Sequence, residues 1–308
     1  MKNLKIIIFT LFSVLVLINN ANTIENKILF KVNNEIITSL DVLYELRYLQ
    51  SINEQFRNTE KKQAFEIAKN SIIRERIKEI VLKQTLKVIE IEDKFLKDVI
   101  INYFKKKQIK SISDFNNYFY SIGINPNLIK KKITIEILWN QLIFKKYNSK
   151  VKINKANIIN DLKKKNKQKE YLLFEILFNI NENEKLDKKF QQIKDKIKKT
   201  SFSEAALLYS TSNSSNKGGE LGWIKETSLN NKIGNLLKNI KVGDYSNPIV
   251  IPGGFLILKI VDIREIKKDY DLNEEIEKTI KDKTNEQLNQ FSNIFFNKIK
   301  RNISIDEL

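Results

Sequence analysis

Glu175 is the one charge inside the apolar run YLLFEILFNI at 171–180. A carboxyl in that setting has two uses. Held among apolar side chains, it contacts the N–H groups of a bound chain, with its pKa raised by burial. As a structural group it pairs with a lysine at the sheet margin, and this second reading carries the greater weight. The carboxyl matters because the chain has neither histidine nor cysteine. Imidazole bases, Ser-His triads and histidine metal ligands are excluded, together with disulfides, thiolate nucleophiles and zinc–thiolate sites. Proton transfer falls to Asp, Glu, Lys or Tyr, and no metal or cofactor is expected. A second constellation is NKGGELGWI at 216–224, in a chain with only 8 Gly and 2 Trp. Gly218, Gly219 and Gly222 allow a tight turn and a close approach of backbone to backbone, while Trp223 supplies apolar area under the loop. The Ser and Thr cluster at 210–215, which includes Ser212, reads as ordinary loop.

The elements that must position these residues follow from periodicity. ILFKVNNEIIT at 28–38 is two β-prone runs around Asn33-Asn34, which predicts a hairpin because Asn tolerates positive φ. Ser39 is then the expected N-cap of a helix. Phe65, Ala68, Ile72, Ile73, Ile77, Ile80 and Val81 mark one face of a long helix. Further helices are predicted over 92–107, from Ser113 with Gly123 beyond its end, and from Asn125-Pro126 with Ile129, Ile133, Ile137, Leu138 and Leu142 inward.

After about residue 165 the pattern changes. The 171–180 run is apolar in both phases of a period of two, as in a strand covered on both faces. Two helices follow, then the glycine loop, a third helix with Ile233, Leu236, Leu237 and Ile240 inward, and a hairpin around Pro252-Gly253-Gly254. The predicted order is β-α-α-α-β-β. Beyond it, Ile276, Ile280, Leu288, Phe291, Phe295 and Ile299 mark one more amphipathic helix. Its apolar stripe needs a partner, and packing back on the earlier helices supplies one. The fold class is α+β.

The net charge of +18 points first to nucleic acid or an anionic membrane surface. Lys is nevertheless spread among Asn and Ile along the whole chain, with acids interleaved, which describes a compositional bias better than a binding face. KKKNKQK at 163–169 reads as a solvated helix end and linker. Residues 1–21 read as an export signal, with Lys2 and Lys5 ahead of the apolar run at 6–18 and NNANT ending it. That run is short for a bilayer span.

FSEAALLYS at 202–210, NKGGELGW at 216–223, IKVGDYSNPI at 240–249 and GGFLILKIVD at 253–262 resemble the parvulin family of peptidyl-prolyl isomerases. With VNNEIITSLDV at 32–42 and the helices after it, the chain is similar to SurA-like periplasmic chaperones carrying one parvulin domain. The resemblance implies a helical chaperone domain over 24–165 and a parvulin domain over 168–266. It also implies that a helix over 270–303 completes the former. It implies export to the periplasm, and unfolded outer-membrane proteins as partners. Weak contact with an anionic membrane surface is compatible with the lysines, whereas the leader and the parvulin likeness count against nucleic acid. By position, the apolar cup falls on Leu221, Leu229, Ile233 and Phe255, with Trp223 and Leu256 beside them. Family members commonly place histidines in the first and last strands and Asp or Cys before the glycine loop; the matching positions here are Glu175, Leu256 and Ser212. Rotation about the peptide bond faces a barrier of about 18–20 kcal/mol, so catalysis must hold the twisted amide better than the planar one. The expected function is therefore a chaperone with a degenerate parvulin domain, and the alternative is a working isomerase.

Overall fold

The computed structural model describes residues 26–164, 167–181, 183–267 and 271–308. The expected export signal lies outside the described residues. No described helix is long and apolar enough to cross a membrane.

Strands β1 (Ile28–Val32) and β2 (Glu35–Thr38) form the expected hairpin, with Asn33 at φ 49° in its turn. Helix α1 (Ser39–Ile52) is capped by Thr38 and not by Ser39. Asp41, three residues after Thr38, decides this. Its backbone N–H donates to Thr38 Oγ1 at 3.3 Å while its carboxylate accepts from the Thr38 N–H at 2.8 Å, so two otherwise orphaned groups are paired reciprocally. Ser39 Oγ instead accepts from the Lys27 N–H.

Helix α2 (Lys61–Thr85) buries Ala64, Ile67, Ala68, Ile72, Ile73, Ile77, Ile80 and Val81. Helix α3 (Asp93–Tyr103) ends earlier than the pattern predicted, because a 3-10 turn at Lys105–Lys107 and a left-handed Gln108 redirect the chain. Helix α4 (Ile112–Ser121) starts at its Ser111 cap, and α5 (Pro126–Tyr147) starts as expected behind Asn125 with proline in its first turn. Helix α6 (Lys155–Lys164) closes this part of the chain. Its core is aromatic, with Trp139, Phe30, Phe56, Phe104, Phe115 and Phe119 fully buried.

Strand β3 (Lys167–Phe178) begins inside the lysine run that was expected to be linker. The ladder explains the extension. Lys167 pairs with Lys267 of β6, and backbone pairing needs no apolar side chain. Then come α7 (Leu186–Lys199), α8 (Phe202–Tyr209), β4 (Glu220–Lys225), α9 (Asn231–Leu237), β5 (Ile249–Ile251) and β6 (Gly254–Lys267). The order is thus β-α-α-β-α-β-β, and the predicted order lacked β4, which begins within the glycine-bearing stretch. The four-stranded sheet runs β4-β3-β6-β5, antiparallel throughout. Helices α7 and α8 cover one face through Ile193, Phe202, Ala205 and Ala206. On the other face α9 contributes Ile233 and Leu237.

Helix α10 (Leu272–Lys300) packs back on the N-terminal helices, as the unpartnered stripe required. Trp139 of α5 donates its indole N–H to Ser292 Oγ at 2.8 Å, and its ring lies 5.6 Å from that of Phe295. Tyr147 and Phe291 stack at 5.0 Å. Phe296, absent from the predicted stripe, is the apolar α10 side chain that becomes fully enclosed. A short strand, β7 (Ile305–Glu307), then joins β1 to give a sheet ordered β2-β1-β7. Its three exposed residues carry no alternation, so periodicity had no hold on it.

Candidate functional site

The site begins with a backbone crossing. The Glu175 N–H donates to the Gly219 carbonyl at 2.8 Å, and Gly219 sits at φ +83°. A Cβ on Gly219 would lie 2.2 Å from the Glu175 carbonyl oxygen, so only glycine lets the loop meet β3 this closely. The same contact delivers the preceding serines to the Glu175 carboxyl. Ser212 donates its hydroxyl to Glu175 Oε1 at 2.6 Å and Ser214 donates to the same oxygen at 2.8 Å. These hydroxyls are its partners, and among the described residues no lysine pairs with it, contrary to the sheet-margin reading. Burial holds the carboxyl above the usual glutamate range, and the two hydroxyls offset part of that rise.

The serine loop is no ordinary loop. Arg74 of α2 reaches it with one guanidinium, donating to the carbonyls of Ser210 at 2.8 Å and Ser212 at 3.0 Å and to the Ser215 hydroxyl. Lys78 donates to Asn213 Oδ1 at 3.2 Å, and Ser71 to Asn216 Oδ1 at 3.2 Å. Lys78 also pairs with Glu136 at 2.7 Å, and burial lowers its pKa against the pull of that carboxylate. One more turn of contacts reaches a buried ion triad: Lys132 donates to Glu45 at 2.9 Å and to Glu75. Two carboxylates outweigh burial there, and the Lys132 ammonium is held above the usual lysine range.

Beside Glu175 lies a cavity of ≈ 500 Å³. Its apolar side is built by Leu173 and Leu177 of β3, Leu221 and Trp223 of β4, Leu229, Ile233 of α9, and Leu256 and Leu258 of β6. Glu175, Ser212, Asn213 and Ser214 form one polar end. The structure therefore brings seven of the eight residues singled out in the sequence to one cavity: Glu175, Ser212, Leu221, Trp223, Leu229, Ile233 and Leu256. Phe255 is the exception. Successive side chains alternate along β6, so Phe255 faces the α7–α8 side, where its ring stacks 5.6 Å from Phe178. Trp223 gives its apolar area to the cavity wall on β4 and not to the underside of the loop; the Arg264 guanidinium stands 4.1 Å over its ring.

The opposite wall was not anticipated. Lys278, Asp282, Asn285, Glu286, Asn289, Gln290 and Asn293 of α10 close the cavity with polar groups. The one signal in the sequence was the recurrence of Asn every fourth residue on the face away from the apolar stripe. Asp282 accepts from Ser228 at 3.1 Å and Lys283 donates to the Leu229 carbonyl at 2.8 Å, which fastens α10 to the rim. The chemistry available is one apolar surface for a side chain, a carboxyl–hydroxyl cluster at one end, and opposite it a row of carboxamides beside Lys278, Asp282 and Glu286. Among the described residues no group of His, Cys, Asp and Glu could hold a metal ion.

An antiparallel four-stranded sheet with this helix arrangement and a cavity between the glycine loop and the last strands defines a parvulin-type domain, and residues 175–262 match the Rotamase family, the PPIC-type PPIASE domain. Over part of its length the chain is also similar to SurA chaperones. It is 28% identical to chaperone SurA of Nitrosococcus oceani over 165 residues, 50% of this chain and 39% of the relative, and 36% identical to chaperone SurA of Pseudomonas syringae pv. tomato over 77 residues, 25% and 18% respectively. These alignments thus span well under half the length of the curated relatives. Among solved structures, a PpiC-type isomerase domain is 30% identical, covering 33% of this chain and 96% of that one at a TM-score of 0.29. A SurA-like chaperone structure from Campylobacter jejuni is 17% identical, covering 92% and 99% at a TM-score of 0.37.

Proposed function

We propose that this protein is an exported, periplasmic chaperone for unfolded polypeptides of the outer-membrane kind, and that its parvulin-type domain serves as a peptide site with degenerate catalytic positions. The observation that carries the reading is the cavity itself. Its apolar side suits a proline-sized group, while the polar end offers Glu175 and Ser212, and Leu256 can make no hydrogen bond through its side chain. Holding a twisted amide better than a planar one takes oriented donors and acceptors, and this end supplies few. Most of the holding surface is assigned to residues 24–165 with the C-terminal helix. A long helical surface takes up extended apolar segments at several places, at modest affinity, since ordering a disordered segment costs about 2–5 kcal/mol.

One observation favours a second reading, an active isomerase: the Glu175 carboxyl and two hydroxyls converge within the cavity at hydrogen-bond distance. Two assays on the same preparation separate the readings. Suppression of aggregation of an unfolded β-barrel protein, with little acceleration of proline-limited refolding, is the expected pair of results. Acceleration matching that of a histidine-bearing parvulin, lost in Glu175→Ala, would establish the second reading instead.

A further inference from the structure

We propose that the α10 wall of the cavity reads the backbone of an extended polypeptide, with Asn285, Asn289, Asn293 and Gln290 pairing to its peptide groups while the opposite apolar side takes its side chains. The inference rests on the reading of the cavity as a peptide site and names what that site recognises.

Spacing is the first argument. Residues four apart on a helix recur about every 6 Å along its axis. An extended chain presents peptide groups toward one side every second residue, about 6.4–6.8 Å. Asn285, Asn289 and Asn293 all line the cavity, so their carboxamides follow the repeat of a strand laid along α10. Each carboxamide carries both donors and an acceptor, as a peptide group does. Carboxylates or lysines in the same row would select charge, whereas amides select backbone and leave sequence to the apolar side. Among the described residues, none of these four carboxamides is hydrogen-bonded to another group, and Asn285 and Asn289 are exposed toward the opening.

The same helix already performs this recognition within the chain. Gln287 pairs with both backbone groups of Lys152, accepting from its N–H at 3.0 Å and donating to its carbonyl at 2.8 Å. Asn297, the next member of the Asn row, donates to the Gly253 carbonyl at 3.3 Å. Asn285, Asn289 and Asn293 face the cavity, whereas Asn297 faces the β5–β6 turn. The occupant that fits is a segment of another, unfolded chain.

The test uses the full chain and a fluorescein-labelled pentapeptide, VLPFV, with an analogue carrying esters in place of two amides. The unaltered protein is expected to prefer the amide form, and the Asn285→Ala/Asn289→Ala/Asn293→Ala variant to bind it about tenfold more weakly and to lose that preference. Leu221→Lys, at a cavity residue 37% exposed and so tolerant of change, reports on the apolar side. If Leu221→Lys weakens binding while the Asn variant binds both peptides as the unaltered protein does, the backbone-reading wall is overturned and the peptide site stands. If neither variant changes binding, or the unaltered protein does not bind the pentapeptide, both are overturned. Probe binding that falls at high protein concentration, with a dimer in sedimentation, makes a second copy of the chain the occupant and overturns the proposal.

Discussion

Arg74 Nη2 donates to the Ser210 carbonyl at 2.8 Å, and this bond ties the first long helix to the loop that supplies the Glu175 partners. The guanidinium then spans to Ser212 and Ser215, so one planar fork fixes three points of the loop. The cavity's polar end therefore depends on a residue far from it in sequence.

Replacing Arg74 by lysine keeps the charge and loses the fork. Arg74→Lys is expected to destabilise the fold by about 2 kcal/mol and to raise hydrogen exchange at residues 210–219 selectively. Unchanged exchange in that segment would show that Gly219 and the sheet hold the loop without Arg74.

Stability should carry a signature of Glu175. Burial raises its carboxyl pKa in the folded chain above the ordinary value of 4.5, so the folded state binds that proton more tightly than the unfolded state does. The contribution is fully present below the unfolded value and is lost as pH rises through the folded one. Glu175→Gln retains partners for Ser212 and Ser214 but cannot ionise. The stability of the unaltered protein relative to this variant should therefore fall as pH is raised from about 4 to 7. Denaturant midpoints measured in parallel across that range check it; a constant difference would mean that the carboxyl titrates alike in both states.

Much of this architecture was legible before any coordinates. Asn125-Pro126 announced α5 because capping and a fixed proline φ are local physics, and the hairpin at Asn33 followed for the same reason. The pairing of Glu175-bearing β3 with β4 and β6 is not local, yet seven of the eight residues singled out in the sequence line one cavity. Phe255 went astray by one position, which in a strand means the opposite face. What stayed hidden was tertiary. Nothing in the α2 pattern distinguishes Arg74 from its basic neighbours, and the Asn row on α10 acquires meaning only once β4 and α9 stand across from it. Strand β4 itself was masked by glycines that read as loop.

The buried triad makes a sharper demand. Lys132 has a side chain only 9% exposed, against 6% for Glu45 and 17% for Glu75. Lys132→Met leaves two carboxylates without their cation and should cost about 3–5 kcal/mol in urea unfolding. Adding Glu45→Leu removes one stranded charge and should recover part of the loss. A double variant no more stable than Lys132→Met would place the energetic weight on Glu75 alone.

Docking of α10 governs both the helical core and the cavity, so its seam is the place to separate them. Ser292 Oγ receives the Trp139 indole N–H in a fully enclosed position. Ser292→Ala leaves that donor unpaired and should cost about 1–3 kcal/mol. Phe291 and Phe295 still pack on Tyr147 and Trp139, so the helix should remain docked and the cavity wall intact. A chain ending at residue 267 is different, because it removes the apolar stripe and the Asn row together. It should melt well below the full chain, aggregate more readily and bind clients poorly, whereas Ser292→Ala should lower the melting temperature and leave client binding near its original strength. Thermal unfolding beside aggregation suppression tests the pair. If the truncated chain melts at the same temperature as the full one, the seam contributes nothing to the core, and the contacts of Trp139 with α10 are incidental to stability.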